Sequence, residues 1–321
     1  MSQANPFEPL STMATNPGLR EWPALPRQFA WVAVAVWIIG IAITLVTWST
    51  YDDLDYADLL RQMAPFWLGH LLLSTLAAYW ATSIYLERQG LAGYPQPALL
   101  MLAYSLAWLL VSWALGHALS VLYMWLYEKT GSYGAGRVLS DGLWWLVGLV
   151  RFAVEALLTL WLVLHLFRRK ARPAEAALRV SATTLAWCFA LGLVVISLQL
   201  NALVVRLFGG MLASELADGW SLLSALVSTC LFMLVAFFAA RSALPVQVRG
   251  FNGGRLALAC LITFALWFGS AVPGAIIVLA TLWFGFAGSL VLLGLFAVLQ
   301  PVLLWPFTRL GLRWGYRAQA A

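Results

Sequence analysis

Eight stretches of this chain are apolar enough and long enough to cross a lipid bilayer, and the basic residues between them fall on alternate sides. The stretches are 28–49, 65–86, 97–126, 142–167, 181–207, 220–240, 256–278 and 283–307. A crossing helix needs about 20 apolar residues. In hydrocarbon every backbone N–H and C=O must find its partner within the element, so runs of this length are read as helices. Composition agrees: 63% of the residues are hydrophobic and 10% are charged, against about 25% charged in a typical soluble domain. The predicted fold class is therefore all-α, a polytopic membrane helix bundle of about eight transmembrane helices. The weakest boundary lies in the uncharged run from Leu256 to Phe307, where the return is placed near Ala280 to Phe286, with Gly269 to Gly274 as the alternative.

Orientation follows from Arg and Lys, which concentrate in short cytoplasmic segments. One set of segments carries fourteen of them: Arg20, Arg27, Arg88, Arg168, Arg169, Lys170, Arg172, Arg179, Arg241, Arg249, Arg255, Arg309, Arg313 and Arg317. The opposite set carries four, Arg61, Lys129, Arg137 and Arg206, and Arg151 lies within a span. This asymmetry predicts that both termini are cytoplasmic. It also accounts for the net charge of +6 without a nucleic-acid partner, because the basic residues flank apolar spans. The bilayer itself is the expected partner, with a small anionic substrate as a further one, and partner proteins are left open. The predominance of Arg over Lys, with Ala and Leu richness, points to a GC-rich bacterial genome and hence an inner (plasma) membrane.

The expected layout is a cytoplasmic tail at 1–27, a single transmembrane domain at 28–308 and a cytoplasmic tail at 309–321. The first tail holds Pro6, Pro9, Pro17, Pro23 and Pro26 and is expected to be largely extended. It does not read as a secretory signal, since no small-residue cleavage site follows the first apolar run. Cys188, Cys230 and Cys260 fall inside spans and read as small buried hydrophobes. A short surface helix is expected over Tyr51–Arg61, where Leu54, Ala57 and Leu60 share a face. Its clustered Asp side chains match no calcium-loop pattern. The glycines of Glu128–Asp141 suggest a flexible external loop, and Arg168–Arg172 is the densest basic patch.

A parallel duplication of four spans, with halves 28–167 and 181–308, is a further expectation. It sets Leu99–Leu122 against Leu256–Leu279 and places Gly116-His117 opposite Pro273-Gly274. Interrupted helices at matching places in two halves are a pointer to a transporter site.

The side chains that demand explanation are the ionisable ones inside spans, since a central Arg or Asp costs about 2.5–3.5 kcal/mol on insertion scales. Arg151 and Glu155 sit four apart, share a helix face and can pair. His70, His117, Gln199 and Asn201 fall in the outer halves of their spans, at the depth of Arg151. Two readings follow. In the first, Arg151, Glu155, His117, His70 and Asn201 line an externally open polar cavity. There Arg151 binds the anionic group of a small anionic or amphiphilic substrate, and Glu155 or His117 takes a proton. In the second, the Arg–Glu pair fixes helix register and the remaining groups are interhelical hydrogen-bond glue.

No catalytic signature stands out. There is no G-x-S-x-G, no H-E-x-x-H or other metal spacing, and no nucleotide or cofactor motif. The expectations are no catalytic residue, no metal and no cofactor. The leading function is a membrane protein that binds or transports a small anionic or amphiphilic substrate. A non-catalytic scaffold or sensor subunit comes second, and an intramembrane transferase or hydrolase third.

Overall fold

The computed structural model describes residues 19–21, 23–48, 56–130, 135–174, 177–212, 219–283 and 289–316. Long helices dominate: α1 (Leu25–Trp48), α2 (Tyr56–Gln89), α3 (Pro97–Thr130), α4 (Ala135–Phe152), α5 (Thr159–Leu166), α6 (Ala182–Leu212), α7 (Gly219–Ala243), α8 (Gly253–Trp283) and α9 (Ser289–Gly315). A π-helical segment, Ala153–Leu158, joins α4 to α5 into one rod. The described residues also form five short strands: β1 (Leu19–Glu21), ahead of α1, and, between helices, β2 (Leu91–Gly93), β3 (Arg172–Pro173), β4 (Ala177–Ser181) and β5 (Gln247–Arg249).

Among the described residues, seven helices are long and apolar enough to cross a membrane, the α4–α5 rod counting as one. The chain is a multi-pass, all-α membrane protein. Its surface bears the mark of a lipid solvent: Ile38, Leu110, Val150, Ile276 and Val298 are all exposed, whereas a water-soluble bundle would bury such a set.

The predicted stretch 65–86 lies in α2, which is not among the seven. Its lower apolarity has a structural reason. α2 packs against α1, α6, α5 and α8, so much of its surface meets protein rather than lipid. Ser74, Thr82 and Ser83 are buried on it. Ser74 Oγ accepts a hydrogen bond from Trp37 Nε1 of α1 at 2.6 Å. α2 also joins the two hydrophobic cores. Ala78, Tyr85 and Leu86 belong to the core made with α1, α3 and α5. Tyr79, Trp80 and Ile84 pack on the core made by α6, α7, α8 and α9.

Three expectations change. The residues of the predicted surface helix that are described, 56–61, are the first turns of α2 rather than a separate element; the remainder, and the Asp cluster at 52–55, lie outside the described residues. α8 runs unbroken through Gly269–Gly274, so the alternative return is not there; it continues to Trp283, into the favoured return at Ala280–Phe286, the rest of which lies outside the described residues. α3 and α8 also continue through Gly116 and Pro273, so the matching helix interruptions do not occur. α9 extends through Arg309 and Arg313 to Gly315.

One end of the bundle is closed by the strands. β1 pairs parallel to β4, and β4 pairs antiparallel to β5. β2 pairs antiparallel to β3. Val180 and Val248 are cross-strand partners and are fully buried against the helices. The Glu87 carboxylate, at the end of α2, accepts hydrogen bonds from Phe251 N (2.9 Å) and Asn252 N (2.9 Å) in the turn leading into α8. That turn needs left-handed backbone at Gly250 (φ +70°) and Asn252 (φ 46°), and a Cβ at Gly250 would run into the Glu87 carboxylate. Tyr316 Oη, just past α9, donates to Phe251 O at 3.3 Å. The first and last described segments of the chain therefore meet at this end.

Candidate functional site

Arg151 is the penultimate residue of α4, and Glu155 lies in the π segment that follows. The guanidinium Nε donates to Glu155 Oε1 at 2.5 Å, an i,i+4 ion pair. A π turn widens the helix and misaligns its backbone bonds, and such turns recur at functional sites. Here neighbouring side chains take up its carbonyls. Thr159 Oγ1 donates to Val154 O at 3.1 Å, and Tyr104 Oη of α3 donates to Ala156 O at 3.4 Å. Tyr104 is itself fixed, fully buried and edge-on to Phe29 of α1 with ring centroids 5.4 Å apart.

The pair is asymmetric. The Glu155 side chain is 12% exposed and that of Arg151 is 37% exposed. Glu155 neutralises Arg151 on one side, while the guanidinium reaches across to α3. Its Nη2 lies 3.5 Å from Ser112 Oγ, the outer limit of a hydrogen bond. A Cβ placed on Gly116 would stand 3.7 Å from the same Nη2. Ser112 and Gly116 are four apart on α3 and present one small-residue face, the pattern that lets membrane helices approach closely. The arrangement leaves a planar cation with donors to spare, balanced by a buried carboxylate, beside a stretch of helix with little side-chain bulk. Chemically it can hold an anion, or it can lock α3 against α4.

The other predicted site residues make no hydrogen bond to Arg151 or Glu155 among the described residues, and each has its own surroundings. His117 follows Gly116 but is exposed, its ring against Trp113 at 4.9 Å between centroids. His70 lies on α2 between Phe66 (4.3 Å) and Trp37 (5.7 Å), and its carbonyl accepts a hydrogen bond from Trp37 Nε1. Asn201 is exposed on α6. The hydrogen bonds of Arg151 and Glu155 run to each other and to Ser112. Among the described residues, no group of three or more His, Cys, Asp or Glu side chains could hold a metal ion.

Ser112 escapes a search for ionisable residues. Its signal is the small-xxx-small spacing with Gly116. Gln300 escapes as well: it is 7% exposed on α9, and neither end of its side-chain amide has a partner among the described residues. It stands directly before Pro301, and Trp267 Nε1 of α8 donates to its backbone carbonyl at 3.2 Å. A lone amide beside a proline, in a run without charges, is the signal that marks it.

Comparison of the chain with protein-family models, with curated proteins and with solved structures finds no match.

Proposed function

We propose that this chain is an eight-crossing inner-membrane protein of a bacterium, with both termini cytoplasmic, that binds or moves a small anionic or amphiphilic substrate. Three features support the topology: the fourteen-to-four sorting of basic residues, the passage of α2 alongside α1, and the meeting of β1 and Tyr316 at one end.

The observation that carries the substrate reading is the uneven burial of the Arg151–Glu155 pair. Arg151 keeps more than a third of its side chain exposed and faces Ser112 and Gly116 rather than a second carboxylate, so part of its donor set stays open to a ligand. In this reading the guanidinium receives the anionic head of the substrate, with Ser112 Oγ as a further donor. Glu155 holds the cation at low cost while the site is empty. The apolar neighbours of Arg151, including the exposed Val150, favour a substrate with a hydrocarbon tail. His70, His117 and Asn201 have no part in it.

The test uses the full chain in vesicles with decyl phosphate as probe and decyltrimethylammonium as its cationic counterpart. Arg151→Ala is expected to abolish binding or uptake of the anion by the folded protein while leaving its cation response in place, at a lowered melting temperature. Retention of full anion binding by an Arg151→Leu/Glu155→Leu double variant refutes the reading and leaves the pair as a register lock, which is the behaviour expected of a scaffold subunit.

A further inference from the structure

The bundle end closed by the strands carries a second arrangement of guanidinium groups, unrelated to Arg151. Side chains alternate across a strand, so burial of Val180 and Val248 sends their neighbours to the opposite face. Those neighbours are Arg179 and Ser181 on β4, and Gln247 and Arg249 on β5. Arg179 and Arg249 are register partners, set directly across from each other. Like charges so placed repel and destabilise a strand pair.

The compensation in hand is slight. Arg179 Nη1 donates to Gln247 Oε1 at 3.3 Å, a neutral acceptor. Among the described side chains no carboxylate lies within salt-bridge distance of either guanidinium; on the far side of Arg179 the backbone of β1 places Glu21 in register, while Arg249 sits on the open edge strand. Ser181 caps the start of α6, its Oγ accepting from Thr184 N at 3.2 Å, so the positive end of a long helix dipole adds to the same face. The row asks for a shared anion with several oxygens, the geometry that guanidinium forks bind best.

Its surroundings indicate where that anion comes from. Val246, immediately before Gln247, is 71% exposed. A bare apolar side chain directly beside bare cations fits the boundary between acyl chains and headgroups. A soluble anion leaves that side chain in water, and an acidic protein segment does the same.

We propose that the β4–β5 ribbon, through Arg179 and Arg249, binds the phosphate headgroup of an anionic phospholipid in the leaflet around this end of the bundle. The lipid's acyl chains cover the neighbouring apolar surface.

The test uses the full chain in neutral detergent, with melting followed as phosphatidylglycerol or phosphatidylcholine is added. Phosphatidylglycerol is expected to raise the melting temperature more than phosphatidylcholine does. In Arg179→Gln/Arg249→Gln that difference is expected to shrink by about twofold or more, while the phosphatidylcholine response persists. Arg249→Gln alone, on the edge strand, serves if the double variant does not fold. Native mass spectrometry should find fewer retained phosphatidylglycerol molecules on the variant. An unchanged phosphatidylglycerol increment in the variants overturns the proposal. So does an equal shift with inorganic phosphate alone, which marks a free-anion site. Stabilisation by polyglutamate but not by phosphatidylglycerol also overturns it, in favour of an acidic protein partner.

Discussion

At the scale of single residues, a charge inside a membrane helix is cheap only in company. Removing Arg151 alone strands the buried Glu155 carboxylate, and breaking such a pair costs more than replacing both members. Arg151→Leu is therefore expected to lower stability by about 2–3 kcal/mol, and the Arg151→Leu/Glu155→Leu double variant to recover most of it. Thermal melts of the three proteins in one detergent provide the check. Gln300 presents the opposite case, a polar group with no partner at either end. Leucine there removes an orphan amide at similar volume, so Gln300→Leu is expected to stabilise by about 1–3 kcal/mol. A fall in melting temperature would mean that the amide has an occupant. Sequence spacing alone made the Arg151–Glu155 contact legible. The reach of Arg151 to Ser112 and the ring neighbours of His70 and His117 were not legible, because they depend on how helices are rotated about their axes, and no single-helix pattern fixes that.

At the scale of elements, helix contacts here depend on small residues where backbones approach and on polar pins at the ends. α8 and α9 cross closely where Gly311 and Gly315 of α9 meet α8. A Cβ at Gly315 would lie 2.6 Å from the backbone N and Cα of Ala259, atoms that cannot step aside. Gly315→Val is expected to destabilise by about 1–3 kcal/mol, read as a lower melting temperature with the helical content of the remaining folded protein unchanged. The Glu87 pin gives a pH signature. Burial raises its carboxyl above the ordinary value of 4.5, against the opposing effect of the Phe251 and Asn252 N–H groups and of Arg88. A folded-state pKa above the unfolded one means that the native state holds the proton more tightly. This contribution to stability is thus present at low pH and fades as pH rises through the folded-state pKa. Wild type is expected to lose melting temperature over that window relative to Glu87→Gln, and a pH series on both proteins tests it. The lower apolarity of α2 belongs to this scale too. Its serines and threonines leave it less apolar than the seven spans, and they mark a helix surrounded by other helices.

At the scale of the whole molecule, the basic residues and the strands converge on one end. That convergence predicts a labelling pattern. In a chain stripped of Cys188, Cys230 and Cys260, Arg172→Cys is expected to react with a membrane-impermeant maleimide only after the cells are permeabilised. Glu128→Cys, near the end of α3, is expected to react in intact cells. The same exposure at both sites would refute the proposed topology. Apolar run length and the sorting of Arg and Lys determined the helices, their approximate limits and the membrane as solvent. Hydrocarbon forces backbone self-satisfaction on any run of that length, and charge cannot be hidden in it. Tertiary structure alone decided which helix lies between the two cores, which short segments pair as strands, and which polar side chains face one another. Those outcomes depend on the packing of surfaces distant in sequence, where the apolar residues that make a span recognisable are too alike to specify a partner.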